Sequence, residues 1–336
     1  MSTVFTRTVD LERAGKDPMK DKAGREIDYM RISITDRCNL RCKYCMPGDI
    51  ETTDMANLLT YEEIAKVTET AASLGIRHIR LTGGEPLVRR GCVDLVKKIK
   101  NISGIDTVGM TTNGVLLAEH ARALKEAGLD SVNVSLDTLD ETEFQRLTGR
   151  DELKAVLAGI GAAQEVEIPV KINTVHYKNL DWRAVLAYAD ERQIPVRFIE
   201  MMPIGYGAAY TGKSNEELFR QIEDCYGSAS EAGKHGAGPA VYYHFPGLNI
   251  DAGFISAIHH KFCESCNRIR LTSEGYLKLC LCYEKGVDLR AALRDPKKGQ
   301  ALQEVMKKAI SEKPVEHCFE QISEMTEHKA MVRIGG

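Results

Sequence analysis

From residue 29 to residue 202 the chain switches six times between short β-branched runs and longer segments whose apolar residues recur at spacings of three and four. Strands are read at 31–35, 76–82, 107–112, 131–137, 169–175 and 196–202. Between them, Ile64, Val67, Ala71 and Leu74 line one helical face that Gly75 stops, and Leu117, Ala121 and Leu124 repeat the pattern, as do Leu180, Ala184 and Ala187. Strict strand–helix alternation returns the chain to the same edge each time, which makes the sheet parallel, as an open barrel or a doubly wound sheet. Six units are too few for a closed eight-fold barrel. Both architectures place chemistry at the carboxyl ends of the strands, where Cys38, Gly83, Gly84 and Asn113 fall.

After about residue 205 the alternation ends. A helix at 215–226, a loop at 227–238, strand-like residues at 241–258 and a cysteine-rich stretch at 263–282 follow. The expected organisation is an N-terminal extension (1–28), an α/β unit (29–205) and a smaller C-terminal module (206–336) covering one end of it. With 45 basic against 48 acidic residues, the chain offers no global attraction for a nucleic acid polymer. Its longest apolar stretch, 155–163, is far shorter than the roughly 20 residues of a membrane span. The first 20 residues carry no apolar leader, so a cytoplasmic protein is expected. Ten cysteines in 336 residues are too sparse for a disulfide scaffold, yet they cluster.

Cys38, Cys42 and Cys45 form a C-x3-C-x2-C array on one loop. Zinc would need a fourth Cys or His, which this loop lacks. Three thiolates on a cubane cluster instead leave one iron open to a ligand. At these residues, with Tyr44 directly before the third cysteine, the chain resembles the radical S-adenosylmethionine (SAM) superfamily. The resemblance implies a partial (β/α)6 TIM-type barrel and a [4Fe–4S] cluster on Cys38, Cys42 and Cys45 whose free iron chelates SAM. It also implies that Gly84, in Gly83-Gly84-Glu85-Pro86, and Ser135, ending the fourth strand, contact SAM.

Cys263, Cys266 and Cys280 form a second trio, C-x2-C-x13-C. Spacing alone leaves two readings open: a second cluster, or a Cys3His zinc site completed by His259 or His260. Cys282 is read as an extra ligand or a small buried side chain, and Cys92, Cys225 and Cys318 as isolated thiols. A radical SAM core followed by C-x2-C-x-R-x-R is similar to the GTP cyclase family that opens molybdenum cofactor (molybdopterin) biosynthesis. That similarity runs from about Arg31 to the end of the chain and implies a second [4Fe–4S] cluster on Cys263, Cys266 and Cys280. It further implies nucleotide contacts from Arg31, Arg80, Thr111, Lys171, Arg197, Arg268 and Arg270, and SAM contacts from Tyr44, Gly84, Ser135 and Met202.

The charges fit that substrate independently, because a nucleoside triphosphate needs converging cations and arginine suits bidentate phosphate contacts. Arg268 and Arg270 share a face if extended. Where the family commonly has Lys, this chain has His78, which makes one phosphate contact weaker and pH-dependent. The terminal Gly335 and Gly336 match a tail that in the family reaches the active site. The resemblance thus implies SAM-dependent radical cyclisation of GTP to 3′,8-cyclo-7,8-dihydro-GTP, with Arg268, Arg270, Gly335 and Gly336 beside the reacting groups. Its implied partners are an electron-donating reductase, flavodoxin or ferredoxin, the next pathway enzyme, and a second copy in a homodimer. The rivals are a radical SAM peptide-modifying enzyme with an auxiliary cluster and a non-catalytic iron- or zinc-binding protein.

Overall fold

The computed structural model describes residues 17–48, 50–210, 213–295 and 302–335; most of the expected N-terminal extension and Gly336 lie outside the described residues. A two-stranded ribbon, β1 (Met19–Lys20) and β2 (Glu26–Ile27), precedes six strands and their helices. These run β3 (Tyr29–Ser33), α1 (Tyr61–Ser73), β4 (His78–Thr82), α2 (Cys92–Lys100), β5 (Thr107–Thr112) and α3 (Leu117–Glu126). Then come β6 (Ser131–Ser135), α4 (Glu141–Thr148), α5 (Leu153–Glu165), β7 (Val170–His176), α6 (Trp182–Glu191) and β8 (Val196–Glu200). All neighbours from β3 to β8 pair in parallel and in sequence order. The six expected strands are therefore present, each within a few residues of its expected bounds.

Local chemistry sets the helix ends. Thr60 and Glu63 close a capping box at the start of α1, and Gly75 takes a positive φ just past its end. In α6 the buried face is Trp182, Val185, Leu186 and Ala189 rather than the expected Leu180, Ala184 and Ala187. The cause is the Asp181 side chain, which accepts from Ala184 N–H, starts the helix at Trp182 and turns Ala187 to solvent.

The remaining elements are α7 (Asn215–Tyr226), β9 (Ser230–Glu231), β10 (Val241–His244), β11 (Asp251–Ile255), β12 (Arg268–Leu271), β13 (Tyr276–Lys278), β14 (Gly286–Asp288), α8 (Leu289–Arg294) and α9 (Leu302–Ser311). The change at residue 205 is one of connectivity, since the sheet itself continues. β11 adds in parallel to β8 and β12 in parallel to β3, so the C-terminal third flanks the six strands on both sides. Among the described residues one open sheet of twelve strands results, in the order β14-β13-β12-β3-β4-β5-β6-β7-β8-β11-β10-β9.

Period-two alternation divides this sheet into two faces. In β7, Val170, Ile172, Thr174 and His176 are buried while Lys171, Asn173 and Val175 are half-exposed. Met30, Ile32, Ile79, Leu81, Val108, Met110, Val132, Val134 and Phe198 continue the buried face into the main apolar core, with the helices packed over it. The opposite face is polar. No helix among the described residues is long and apolar enough to cross a membrane.

Candidate active site

The polar face gathers the cations expected from the sequence. In register, Arg270 lies opposite Arg31, and Arg31 opposite Arg80. Thr111 is level with Asn133 and Asn133 with Lys171; Ser135 is level with Asn173 and Asn173 with Arg197. Arg80 lies across β5, donating through Nε to the Tyr29 hydroxyl (3.1 Å) and through Nη1 to the Met110 carbonyl (3.0 Å). A side chain at Gly109 would overlap that guanidinium, so glycine is what leaves the crossing open.

These cations repel one another. Burial lowers the Arg31 pKa to about 10, with Arg80, Arg268 and Arg197 contributing, and burial likewise lowers those of Arg197 and Arg270. Lys171 is held down to about 8 by burial and by Arg197 and Arg80. Burial raises the Tyr29 phenol, but Arg80, Arg31 and Arg197 outweigh it and bring it to about 8. Among the described residues Arg80, Lys171, Arg197 and Arg268 have no carboxylate ion-pair partner. Thr111 Oγ1, Asn133 Oδ1 and Asn173 Oδ1 are buried without a hydrogen-bond partner on the same face. Desolvated like charges and unsatisfied polar atoms in one place are the signature of a surface built for a polyanionic, hydrogen-bonding ligand.

The two cysteine trios sit at opposite ends of this face. Cys38, Cys42 and Cys45 lie on the loop leaving the carboxyl end of β3. Cys263 and Cys266 precede β12, which runs parallel to β3, and Cys280 follows the antiparallel β13, so the second trio lies by the amino ends. In the first loop, Leu40 N–H donates to Cys38 Sγ (3.4 Å), and Asn113 Nδ2 lies 3.7 Å from the same sulfur. The first-loop thiols are pushed up by burial, Cys45 to about 12. In the second, burial raises the Cys266 thiol but Arg268 and Lys313 outweigh it and hold it near 6; Arg268 Nη2 is 3.6 Å from its sulfur and Phe262 stacks under the guanidinium. Thiol trios with N–H groups or a guanidinium directed at sulfur fit the ligand chemistry of iron–sulfur clusters. His259 Nδ1 faces the buried Glu200 carboxylate at 2.8 Å, while His260 is exposed.

Gly83 and Gly84 pack against the first cysteine loop. Gly84 N–H donates to Thr35 O (2.7 Å), Glu85 N–H to Arg37 O (2.8 Å), and a Cβ at Gly84 would overlap the Arg37 carbonyl. Glu85, fully buried, accepts from Thr112 Oγ1 (2.8 Å), Asn113 N–H (2.6 Å) and Leu87 N–H (3.0 Å), and burial raises its pKa to about 7. Tyr44 donates its hydroxyl to Asp137, whose other oxygen accepts from Val175 N–H, tying the cysteine loop to β7. Met202 is half-buried against a second apolar cluster that also contacts Cys280.

The C-terminal tail runs between the trios. Gly335 O accepts from Thr82 Oγ1 (3.0 Å) and Arg270 Nη1 (3.1 Å), and Arg333 pairs with the buried Asp36 (2.8 Å) just before Cys38. His78 Nδ1 meets Thr107 Oγ1 (2.9 Å) on the strand row that also holds Tyr29. Tyr29, Asn133, Asn173, Glu85 and Asp137 are the site residues that sequence reasoning missed. Tyr29, Asn133 and Asn173 had a usable signal, since each stands two positions from a named residue, Arg31, Ser135 and Lys171 respectively, and shares its face.

Residues 32–191 match the Radical SAM superfamily and residues 194–319 match Molybdenum Cofactor Synthesis C. A GTP 3′,8-cyclase of Clostridium perfringens (strain 13 / Type A) is 44% identical over 324 residues, covering 95% of this chain and all of the relative. A GTP 3′,8-cyclase of Petrotoga mobilis is 42% identical over 327 residues, again with 95% and 100% coverage. In fold, the chain is similar to Streptococcus suis SuiB bound to S-adenosylmethionine, with a TM-score of 0.62 at 15% identity, covering 91% of this chain and 77% of that one. With the six-stranded parallel unit, the two cysteine trios and relatives matched end to end, the chain belongs to the GTP 3′,8-cyclase family of the radical SAM superfamily.

Proposed function

We propose that the protein converts GTP, with SAM, to 3′,8-cyclo-7,8-dihydro-GTP, the first step of molybdopterin biosynthesis. The observation that carries the reading is the cationic sheet face with a cysteine trio at each end. Members of the family use SAM and two [4Fe–4S] clusters. Here Cys38, Cys42 and Cys45 would hold one cluster and Cys263, Cys266 and Cys280 the other. Held there, the first cluster would supply the low-potential electron for reductive cleavage of SAM, the chemistry that would remove the ribose C3′ hydrogen and lead to the C3′–C8 bond.

The chain's own residues position that chemistry. Arg31, Arg80, Lys171, Arg197, Arg268 and Arg270 bind the triphosphate, whose charge relieves their mutual repulsion. Thr111 adds a hydroxyl to the same nucleotide. Tyr44, Gly84, Ser135 and Met202 form the SAM side, and Gly335, held by Thr82 and Arg270, closes the space beside them. Arg268 also keeps Cys266 in the thiolate form that iron takes up. A low-potential donor such as a reductase, flavodoxin or ferredoxin, a following pathway enzyme and a second copy of the chain are the partners this reading implies.

The test is anaerobic reconstitution with iron and sulfide, then incubation with SAM, dithionite and GTP, reading 5′-deoxyadenosine and cyclised nucleotide by mass spectrometry. Both products, dependent on GTP, are expected. Deoxyadenosine with no GTP dependence would redirect the assignment to another radical SAM substrate. Cys263→Ala should abolish cyclisation while leaving some SAM cleavage; full product formation by that variant would remove the second trio from the reaction.

A further inference from the structure

A buried pair of thiols stands outside both trios. Cys282 is fully buried and Cys318 is 8% exposed. Their sulfurs are 3.0 Å apart, and Cys318 N–H points at Cys282 Sγ (3.3 Å). Cys282 follows Cys280 by two residues on the segment leaving β13, whereas Cys318 lies between α9 and the tail. Both belong to the small apolar cluster of Ile204, Phe319, Met325 and Ile334, against which Met202, Cys280 and Met331 also pack. A structural role for two small apolar side chains explains their burial but does not require their sulfurs to meet.

We propose that Cys282 and Cys318 are a reversible dithiol that closes to a disulfide by exchange with a small-molecule disulfide such as oxidised glutathione. The bond staples the second cysteine loop to the chain that leads into the Gly335 tail. Cys318, the less buried thiol, loses its proton and attacks one sulfur of the small disulfide, expelling one thiolate. Cys282 then loses its proton and attacks Cys318 Sγ of the mixed disulfide, expelling the second. The two protons end on the two released thiols, and the protein is oxidised by two electrons as the small disulfide is reduced by two. Burial slows the exchange, so closure takes minutes to hours. Because Met325, Met331 and Ile334 pack on the same cluster, the staple also restricts the approach of the tail to Arg270 and Thr82.

The test uses the full chain with both clusters reconstituted. After anaerobic incubation with oxidised glutathione, acid quenching, alkylation and digestion, peptides are mapped by mass spectrometry. A peptide linking Cys282 to Cys318 is expected, reversible by dithiothreitol, with iron content unchanged and the melting temperature raised by ~5 °C. Cys318→Ser and Cys282→Ser should each lose the link and the shift while keeping all iron. Alkylation of both thiols after prolonged treatment, while the exposed Cys225 is glutathionylated, would overturn the proposal. Loss of about four irons in Cys282→Ser would also overturn it, by making Cys282 a cluster ligand. Neither readout needs turnover of GTP, so a different substrate would leave this result standing.

Discussion

Lys171 shows how a single residue's environment becomes a rate property. Burial and the neighbouring Arg197 and Arg80 hold its pKa down to about 8, so its ammonium is charged below that pH and neutral above it. Under the proposed nucleotide role, its contact with a phosphate is nearly complete at neutral pH and is lost as pH rises through about 8. A charge-assisted hydrogen bond contributes about 1.5–3 kcal/mol, and the fall in the protonated fraction limits the rise in KM for GTP from pH ~7 to pH ~9 to about tenfold. Lys171→Arg should keep KM flat, because guanidinium stays protonated across that range. An unchanged steep profile in Lys171→Arg would assign the rise to another group. His78 stands on the same face, beside Thr107; His78→Lys, which puts a permanent cation there, should lower KM for GTP, measured by initial rates. The cysteines and arginines were legible in the sequence because their spacing or charge is unusual. Asn133 and Asn173 carried only a parity signal, two positions from Ser135 and Lys171, and it is the register of β6 and β7 that places them among the cations.

At the level of elements, the glycine pair after β4 is a packing device for the cysteine loop. The loop crosses so near that Gly84 has no room for a side chain. Gly84→Ala should displace Arg37 and with it Cys38, so the reconstituted variant should bind about four irons instead of about eight, retaining the second cluster. Full iron content with normal SAM affinity would show that the loop tolerates the shift. The strands themselves were readable from β-branched runs, and their inner and outer faces from period-two parity. The start of α6 was not, because Asp181 as a cap outweighed the apolar spacing that pointed to another face.

Across the whole molecule, the sheet makes the first and last thirds of the chain interdependent. β12 in the last third of the chain pairs with β3 in the first, and β11 pairs with β8. Expressed alone, residues 206–336 should lack protected strand amides in hydrogen exchange, since β11 and β12 lose their parallel neighbours. A protected fragment would show that the C-terminal part folds by itself. That interdependence was hidden in the sequence, where the end of strand–helix alternation at residue 205 resembles a boundary and nothing local marks β12 as the neighbour of β3.

The β3–β12 ladder also acts as a ruler. One cysteine trio lies on the loop beyond the carboxyl end of β3 and the other by the amino end of β12, so the five residues of β3, about 15 Å at the strand rise, lie between them. A molecule engaging both ends must match that length, with its anionic part facing the arginines between. Inserting one residue into β3 would lengthen the gauge by about 3.3 Å and turn either Arg31 or the start of the cysteine loop to the wrong face. The backbone repeat of one short strand thus sets part of the spacing between the two trios.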